Sequence, residues 1–189
     1  RQLAKERGPC PDGGSAGVRN AHLLAVAPNA SSSIICGNTS PSIEPYRANA
    51  FTQKTKSGSS LLKNEYLEHA LQEIDQDTDE VWKSIITNGG SVQHLDFLDD
   101  WTKEIFKTAV EIDQRWVIEM AADRQEDICQ SQSLNIFFPS NVSKQELHAI
   151  HMMAWKKKVK TLYYLRSEAM KRAENVSDEV LRQYIFDSM

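Results

Sequence analysis

An apolar segment in the last third of the chain reads Leu134-Asn135-Ile136-Phe137-Phe138 and is followed by a proline. Its length and its side chains predict a short buried strand. Ser143 comes next and Glu146 stands three residues later, which is a capping box that begins a helix expected to run to about Lys158. Val159 to Leu165 predicts a further strand. Strand, helix and strand in this order favour an α/β fold, with a parallel sheet or part of a barrel.

The rest of the chain contributes further expected elements. In chain order, they are the end of a helix at Gln2 to Arg7, a buried strand at His22 to Ala27, a strand and turn at Ala50 to Lys56, helices at Asn64 to Ile74 and Thr78 to Ile86, and one long helix or two in series at Asp99 to Asp127. These strands are too few to close a barrel by themselves.

The composition is that of a globular protein. The 189 residues are enough for one domain with a sizeable core, and the contents of 40% hydrophobic and 25% charged residues are ordinary. The net charge of −4 gives no bulk electrostatic reason to bind nucleic acid or an anionic membrane. No apolar run approaches the length of about 18 residues that a membrane helix needs. The three cysteines, Cys10, Cys36 and Cys129, lack metal-like spacing and fit a reducing cytosol better than a disulfide framework.

Small residues from Pro28 to Ser33 predict a polar loop before a short helix. Small side chains let backbone N–H groups approach an anion, and a helix N-terminus offers unpaired donors and a partial positive charge. The hydroxyls of Ser31, Ser32 and Ser33 add donors, so the loop suits a diphosphate. An ordinary helix cap built from serines is the alternative.

Tyr163-Tyr164 is a dipeptide on a predicted strand, where successive side chains normally point to opposite faces. One core tyrosine and one surface tyrosine would satisfy that geometry. The functional alternative is a redox pair, in which two phenols in contact exchange a proton and an electron. Such a pair requires a local departure from regular strand geometry.

Two further features carry weaker signals. His148 and His151 stand three apart on a helix, a spacing that suits two metal ligands. No cysteine or paired carboxylate motif supports them, so no metal site is predicted. Cys129 lies where an apolar helix meets a strand and is expected to be a small buried hydrophobe rather than a nucleophile.

Several stretches together resemble the C-terminal part of the large, catalytic subunit of class I (aerobic) ribonucleotide reductase. They are Val18 to Ala25 followed by Pro28-Asn29-Ala30-Ser31-Ser32-Ser33-Ile34, Asn38 to Pro45 with Ser42-Ile43-Glu44-Pro45, Met120 to Arg124, Gln130 to Asn135, and Lys160 to Arg166 with Tyr163-Tyr164. The resemblance implies that this chain is the C-terminal part of a ten-stranded α/β barrel that another chain completes.

The resemblance also implies the chemistry, which is the reduction of ribonucleoside diphosphates to deoxyribonucleoside diphosphates by a radical mechanism. Pro28, Asn29, Ala30, Ser31, Ser32 and Ser33 would form the loop that binds the substrate diphosphate, and Tyr163 and Tyr164 would relay the radical to a catalytic cysteine. None of Cys10, Cys36 and Cys129 matches the family's catalytic cysteines, which are therefore expected on another chain.

Partners follow from the same resemblance. They are the N-terminal chain of the large subunit, the small subunit with its di-metal centre and tyrosyl radical, the ribonucleoside diphosphate substrate, and thioredoxin or glutaredoxin as reductant. No cofactor is expected on this chain, and neither nucleic acid nor a membrane is an expected partner. The helix from Ser143 to Lys158 is expected to help dock the C-terminal tail of the small subunit through Leu147, Ile150 and Ala154, unless that face is internal core.

The expected organisation has three parts. Residues 1–17 are the end of a helix and a mobile connector, residues 18–166 are the barrel portion, and residues 167–189 are a charged tail with a helix near Asp178 to Phe186. A naturally split subunit, as in some phage genomes, and a fragment of an intact subunit both fit. The expected location is the cytoplasm, or the host cytoplasm for a phage-encoded chain. The alternative function is a non-catalytic assembly or regulatory module, in which Tyr163 and Tyr164 would have no use as a pair.

Overall fold

The computed structural model describes residues 1–12, 17–36, 43–55 and 58–167, which form seven helices and four strands. The elements are α1 (Gln2–Arg7), α2 (Ala30–Ile35), β1 (Ala50–Thr55), β2 (Gly58–Lys63), α3 (Glu65–Glu73), α4 (Asp79–Thr87), α5 (Asp100–Ile105), α6 (Gln114–Gln125), β3 (Ile136–Phe138), α7 (Lys144–Lys156) and β4 (Leu165–Ser167). The expected α/β class is confirmed. Most of the predicted connector and the helix expected near Asp178 to Phe186 lie outside the described residues.

Parallel pairing organises the C-terminal half of the described chain. β3 and β4 pair in parallel with Ile136 opposite Leu165, and α7 makes the crossover between them. Val26 forms a parallel bridge with Gln132 on the other edge of the segment that leads into β3. Three parallel segments therefore lie side by side, with the one that contains β3 in the middle.

Helices α6 and α7 cover this unit with apolar side chains. Val117, Ile118 and Ala121 of α6 are buried, and so are Ile150 and Ala154 of α7. They form one core with the middle strand, whose buried members are Leu134, Ile136 and Phe138. Fully burying a Val, Leu, Ile or Phe side chain stabilises the fold by about 1.5–3 kcal/mol, so these contacts fix both helices against the strands.

A second core lies under a hairpin in the N-terminal half of the described residues. β1 and β2 pair antiparallel, with Ala50 opposite Lys63, and α3 and α4 pack beside them. The buried side chains are Ala50, Leu67, Leu71, Trp82, Ile85, Val92, Leu95, Leu98 and Phe106. Sequence patterning gave β1 and both helices correctly but missed β2, because Gly58–Lys63 begins with small polar residues and does not alternate.

Asp99 to Asp127 was expected to form one long helix or two in series, and it forms two. α5 ends at Ile105, and α6 begins only after Asp113, whose side chain accepts a hydrogen bond from the Arg115 N–H. Between them the Thr108 N–H donates to Glu111 Oε2 at 2.8 Å. The capping and loop hydrogen bonds satisfy backbone groups that a continuous helix would have paired internally.

Two strand predictions require correction. His22 to Ala27 is not a buried strand, because every residue in it except the half-buried Val26 is exposed and only Val26 forms a bridge. Val159 to Leu165 is not a strand along its length, since β4 begins only at Leu165. Side-chain hydrogen bonds replace ladder bonds there: the Lys160 N–H donates to Gln125 Oε1 at 3.2 Å, and the Thr161 hydroxyl donates to the Gln132 carbonyl at 3.0 Å.

Along the described residues, no helix is both long and apolar enough to cross a membrane.

Candidate functional site

Tyr163 and Tyr164 are in contact, although they are neighbours in the chain. Their ring centroids lie 4.1 Å apart with an angle of 52° between the ring planes. The Tyr163 hydroxyl donates a hydrogen bond to the Tyr164 hydroxyl at 3.3 Å. Both residues are about half exposed, at 48% and 49%. The two phenols therefore share a ring contact and a direct proton path on an accessible surface.

The contact depends on one extra residue in the strand that carries the tyrosines. With Ile136 opposite Leu165, a regular parallel ladder would make the Tyr164 N–H donate to the Leu134 carbonyl. That carbonyl instead accepts from the Tyr163 N–H at 2.8 Å, while the Ile136 N–H donates to the Tyr164 carbonyl at 3.0 Å. The tyrosine strand therefore uses three residues where its neighbour uses two, which is a bulge. Regular alternation breaks down here, as a phenol pair in contact requires.

Hydrogen bonding favours the protonated form of Tyr163. The hydrogen bond to Tyr164 is the main cause that raises the pKa of Tyr163, because the bond stabilises the phenol over the phenolate. The Arg166 guanidinium lies over the Tyr164 ring, 4.9 Å from its centroid. A cation in this position packs against the face of the ring and helps to fix its orientation.

The segment expected to bind a diphosphate, Pro28 to Ser33, includes the first turn of α2. Pro28 and Asn29 are exposed, and α2 begins at Ala30 with Asn29 as N-cap residue. The predicted loop over Pro28 to Ser33 is therefore too long, because its last four residues lie inside α2. The alternative, in which Ser31 to Ser33 cap a following helix, is wrong for the same reason. The Asn29 side chain makes no capping hydrogen bond, and the first intrahelical bond is from the Ser33 N–H to the Asn29 carbonyl at 3.0 Å. The helix start is thus assembled from small residues without a side-chain cap.

The residues expected to dock the small subunit belong to the interior. Ile150 and Ala154 are buried in the core shared with β3, and Leu147 is half-buried against the same core. The expectation that they form an exposed docking face is therefore wrong, and the stated alternative of an internal face holds. The reason is that the apolar positions of α7 pack on α6 and the middle strand.

Cys129 is exposed, which corrects the expectation of a buried small hydrophobe. Its sulfur accepts hydrogen bonds from the Leu23 and Leu24 N–H groups at 3.0 and 3.2 Å. These donors, with a smaller contribution from His22, lower the pKa of Cys129 to about 7, because they stabilise the thiolate.

His148 and His151 are both exposed on α7, and the Nδ1 of His151 bonds the Leu147 carbonyl at 2.7 Å. Within the described residues, no group of three or more His, Cys, Asp or Glu side chains is placed to hold a metal ion.

Two polar side chains beside the tyrosines were given no role from the sequence. Asn135 is buried, and its Oδ1 accepts from the Tyr164 N–H at 2.9 Å. Glu44 is also buried, and its Oε1 accepts from the Asn135 N–H at 3.2 Å. Both lie in stretches that carry the family resemblance. A periodic sequence pattern, however, does not show that the Asn135 side chain accepts a hydrogen bond from a backbone N–H 29 residues away.

Comparison with known proteins identifies the type of domain. Residues 11–165 match the family model of the ribonucleotide reductase barrel domain. The chain is 52% identical over 167 residues to the putative ribonucleoside-diphosphate reductase large subunit of Frog virus 3 (isolate Goorha), a match that covers 88% of this chain and 29% of that relative. It is likewise 52% identical over 179 residues to the large subunit of Invertebrate iridescent virus 6, covering 93% of this chain and 19% of that relative.

A solved structure supports the same assignment. The class Id ribonucleotide reductase alpha subunit of Actinobacillus ureae superposes with a TM-score of 0.74 at 41% sequence identity, over 89% of this chain and 30% of that one. This chain thus spans less than a third of each of these three relatives. Its α/β elements are a portion of the barrel, and the chain belongs to the ribonucleotide reductase barrel-domain family.

Proposed function

We propose that this chain contributes to the reduction of ribonucleoside diphosphates to deoxyribonucleoside diphosphates, as part of a ribonucleotide reductase large subunit. The observation that carries the proposal is the contact between Tyr163 and Tyr164, whose hydroxyl oxygens lie 3.3 Å apart. A merely structural pair of adjacent strand tyrosines would point to opposite faces. Membership of the barrel family supplies the context in which such a pair has a chemical use.

The pair would act as a radical relay. When Tyr164 holds the radical, the Tyr163 hydroxyl gives up one electron and one proton, and the proton moves along the hydrogen bond between the two oxygens. Tyr164 becomes a closed-shell phenol and Tyr163 becomes the radical, so that electrons and protons balance. The reverse transfer returns the radical by the same path. Ring contact at 4.1 Å provides the electronic overlap for the electron.

The remaining parts of the reaction would come from outside the residues of this chain. A small subunit would generate the radical at a di-metal centre with a tyrosyl radical, and thioredoxin or glutaredoxin would supply the reducing electrons. The catalytic cysteines would lie on a second polypeptide, which carries the remainder of the large subunit. We place the assembled enzyme in the cytoplasm, or in the host cytoplasm for a phage-encoded chain.

The segment Pro28 to Ser33, which ends in the first turn of α2, would bind the substrate diphosphate. The support is the start of α2, where small residues lead into a helix that the Asn29 side chain does not cap. Backbone N–H groups of the first turn have no partner within the helix and favour an anion.

Ser32→Pro deletes one such donor, whereas Ser32→Ala deletes only the hydroxyl. We expect weaker substrate binding by the assembled enzyme in the proline variant, measured by equilibrium dialysis, and a smaller effect in the alanine variant. Equal affinity in both variants and the wild type would remove the loop from the site.

Substitution of each tyrosine by phenylalanine tests the relay. Phenylalanine keeps the ring and its packing and removes only the hydroxyl, so a packing role predicts a small stability cost, on the order of 1 kcal/mol. We expect Tyr163→Phe and Tyr164→Phe each to abolish CDP reduction in the assembled enzyme while assembly and substrate binding stay near normal. The double variant should be no worse than either single variant, because the two residues act as one unit. Substantial turnover in either single variant would instead favour a non-catalytic module.

A further inference from the structure

The bulge at the tyrosine pair leaves one backbone donor without its ladder partner. Because the Leu134 carbonyl accepts from Tyr163, the Tyr164 N–H has no backbone acceptor in the neighbouring strand. The Asn135 side chain takes that place, with its Oδ1 2.9 Å from the Tyr164 nitrogen. A buried backbone N–H left without an acceptor costs about 1–3 kcal/mol, so the bond to the buried Asn135 side chain offsets at least part of the cost of the bulge.

Asn135 is itself fixed from the other side. It is only 6% exposed, and its N–H donates to Glu44, which is 7% exposed. Glu44 lies outside the strands, in the segment that follows α2 in the described chain. Asn135, whose side chain accepts from Tyr164, is therefore held in turn by the buried Glu44 carboxylate through its backbone N–H.

Without the Asn135 acceptor, the regular register offers the Tyr164 N–H a partner. A slip of one residue would let the Tyr164 N–H bond the Leu134 carbonyl and continue the ladder seen from Ile136 onward. In that register Tyr163 and Tyr164 would point to opposite faces, and their rings would separate. The side-chain hydrogen bond thus selects the stacked arrangement over the alternating one.

We propose that Asn135, held by Glu44, is a positioning residue that keeps the rings of Tyr163 and Tyr164 in contact. The assignment rests on the proposed relay for its functional consequence, but the ring contact itself is measurable without turnover. Asn135 acts through the Tyr164 backbone N–H and not through a tyrosine hydroxyl.

The variant Asn135→Leu tests the proposal in the assembled reductase, because it keeps a side chain of similar size and removes the acceptor. We expect kcat for CDP to fall about 100-fold, as for other small displacements of reacting groups, with KM unchanged. A structure of the assembled variant should show the two rings out of contact. Asn135→Asp restores an acceptor and should restore both ring contact and most of kcat.

Gln132→Leu is the matched control, since Gln132 is a fully buried amide on the same segment whose side chain bonds Ala121, Arg124 and Gln125 and not the tyrosines. It should lower stability but leave kcat near that of the wild type. If Asn135→Leu does not fold, Asn135→Ser replaces it as the test variant, because the shorter serine hydroxyl does not reach the Tyr164 N–H.

The outcomes separate the two proposals. If the rings stay in contact and kcat is unchanged in Asn135→Leu or Asn135→Ser, the positioning role is overturned, whatever the tyrosine variants do. If the rings separate but Tyr163→Phe is active, Asn135 still positions the pair and the relay is the part that fails. An equal loss of kcat in Gln132→Leu would reduce Asn135 to a stability residue and overturn its positioning role.

Discussion

At the scale of single residues, Cys129 has an environment that favours its thiolate. Two backbone N–H groups point at its sulfur, a geometry that stabilises a negative charge. The thiolate is the reactive form of cysteine, so its fraction controls the rate of alkylation. Since the pKa of Cys129 is lowered to about 7, the thiolate forms as pH rises through neutrality rather than near the ordinary value of 9.0.

We therefore predict that the rate of alkylation of Cys129 by iodoacetamide rises with pH and is half-maximal at about pH 7. Peptide mapping by mass spectrometry identifies the modified residue. His22→Ala should move the midpoint slightly upward, because His22 makes a smaller contribution than the two N–H groups. A midpoint near pH 9 in the wild type would show that the sulfur does not accept these hydrogen bonds in solution.

The individual residues differ in how far the sequence reveals them. The Tyr163-Tyr164 pair stands out only by its resemblance to a family, because a dipeptide on a strand ordinarily alternates. What brings the rings together is a long-range bond from Tyr164 to Asn135 and a second from Asn135 to Glu44, which is 91 residues away in the chain. Local patterns carry no information about such a contact, so neither Asn135 nor Glu44 could be assigned a role from the sequence.

At the scale of elements, the end of α7 carries backbone strain. The Val159 N–H donates to the Ala154 carbonyl and the Lys158 N–H to the Trp155 carbonyl, which is the hydrogen-bond pattern of a Schellman motif. That motif requires a left-handed residue, and Lys158 adopts it with φ of 61°. The position favours glycine, and a lysine there costs about 1 kcal/mol or slightly more.

Lys158→Gly is predicted to increase the free energy of unfolding by about 1 kcal/mol. Lys156→Gly is the matched control, because Lys156 is the last residue of α7 and gains nothing from positive φ. Glycine there should lower stability by up to about 1 kcal/mol. Urea denaturation of both variants measures the difference. A loss of stability in Lys158→Gly would mean that the helix does not end in this motif.

The turn after α4 offers a second test at this scale. Gly89 and Gly90 both have positive φ, at 69° and 85°. A Cβ added to Gly90 would lie 2.2 Å from the Ala48 Cβ, whereas a Cβ added to Gly89 meets nothing within 4 Å. Gly90 also accepts from the buried Asn49 side chain at 3.0 Å, which connects the turn to the hairpin core.

We expect Gly89→Ala to cost about 1 kcal/mol, from the strained backbone alone. Gly90→Ala adds a steric clash with the Ala48 side chain and the backbone of Ala48 and Asn49, so its cost should reach about 3 kcal/mol or more. Thermal unfolding of the two variants separates the backbone strain from the clash. Both variants add one methyl group to a glycine of positive φ, and only the one at Gly90 adds a clash. Similar losses in the two would show that Ala48 moves aside freely.

Elements that depend on local signals were predictable, and those that depend on packing were not. The helices expected from Asn64, Thr78 and Ser143 begin where the sequence indicated, and each of these residues accepts a backbone hydrogen bond as N-cap. Only the cap at Ser143 was predicted. By contrast, Trp101 and Trp116 are large apolar side chains within the helical stretch Asp99 to Asp127, yet both are exposed. Apolar spacing along a helix fixes which residues share a face but not whether another element covers that face.

At the scale of the whole molecule, apolar side chains remain uncovered beside the parallel strands. Leu23 and Leu24 are 78% and 57% exposed, although their segment bonds to residues 130–133. In a closed α/β barrel both faces of a strand are covered, one by the barrel interior and one by helices. The described chain is a portion of such a barrel, so these leucines are candidates for contact with its remaining part.

The final prediction concerns association with a polypeptide that carries the rest of the large subunit. Burying one leucine contributes about 1.5–3 kcal/mol, so Leu23→Ser should weaken the complex by about tenfold or more. The stability of the isolated chain should hardly change, because this side chain is already exposed. Leu134→Ser gives the opposite pattern: Leu134 is fully buried, and its loss should unfold the chain before it affects the interface. Isothermal titration gives the dissociation constant and urea denaturation gives the stability. An unchanged dissociation constant in Leu23→Ser would place the missing barrel strands elsewhere, and a stable monomer that ignores the second polypeptide would show that these exposed leucines need no partner.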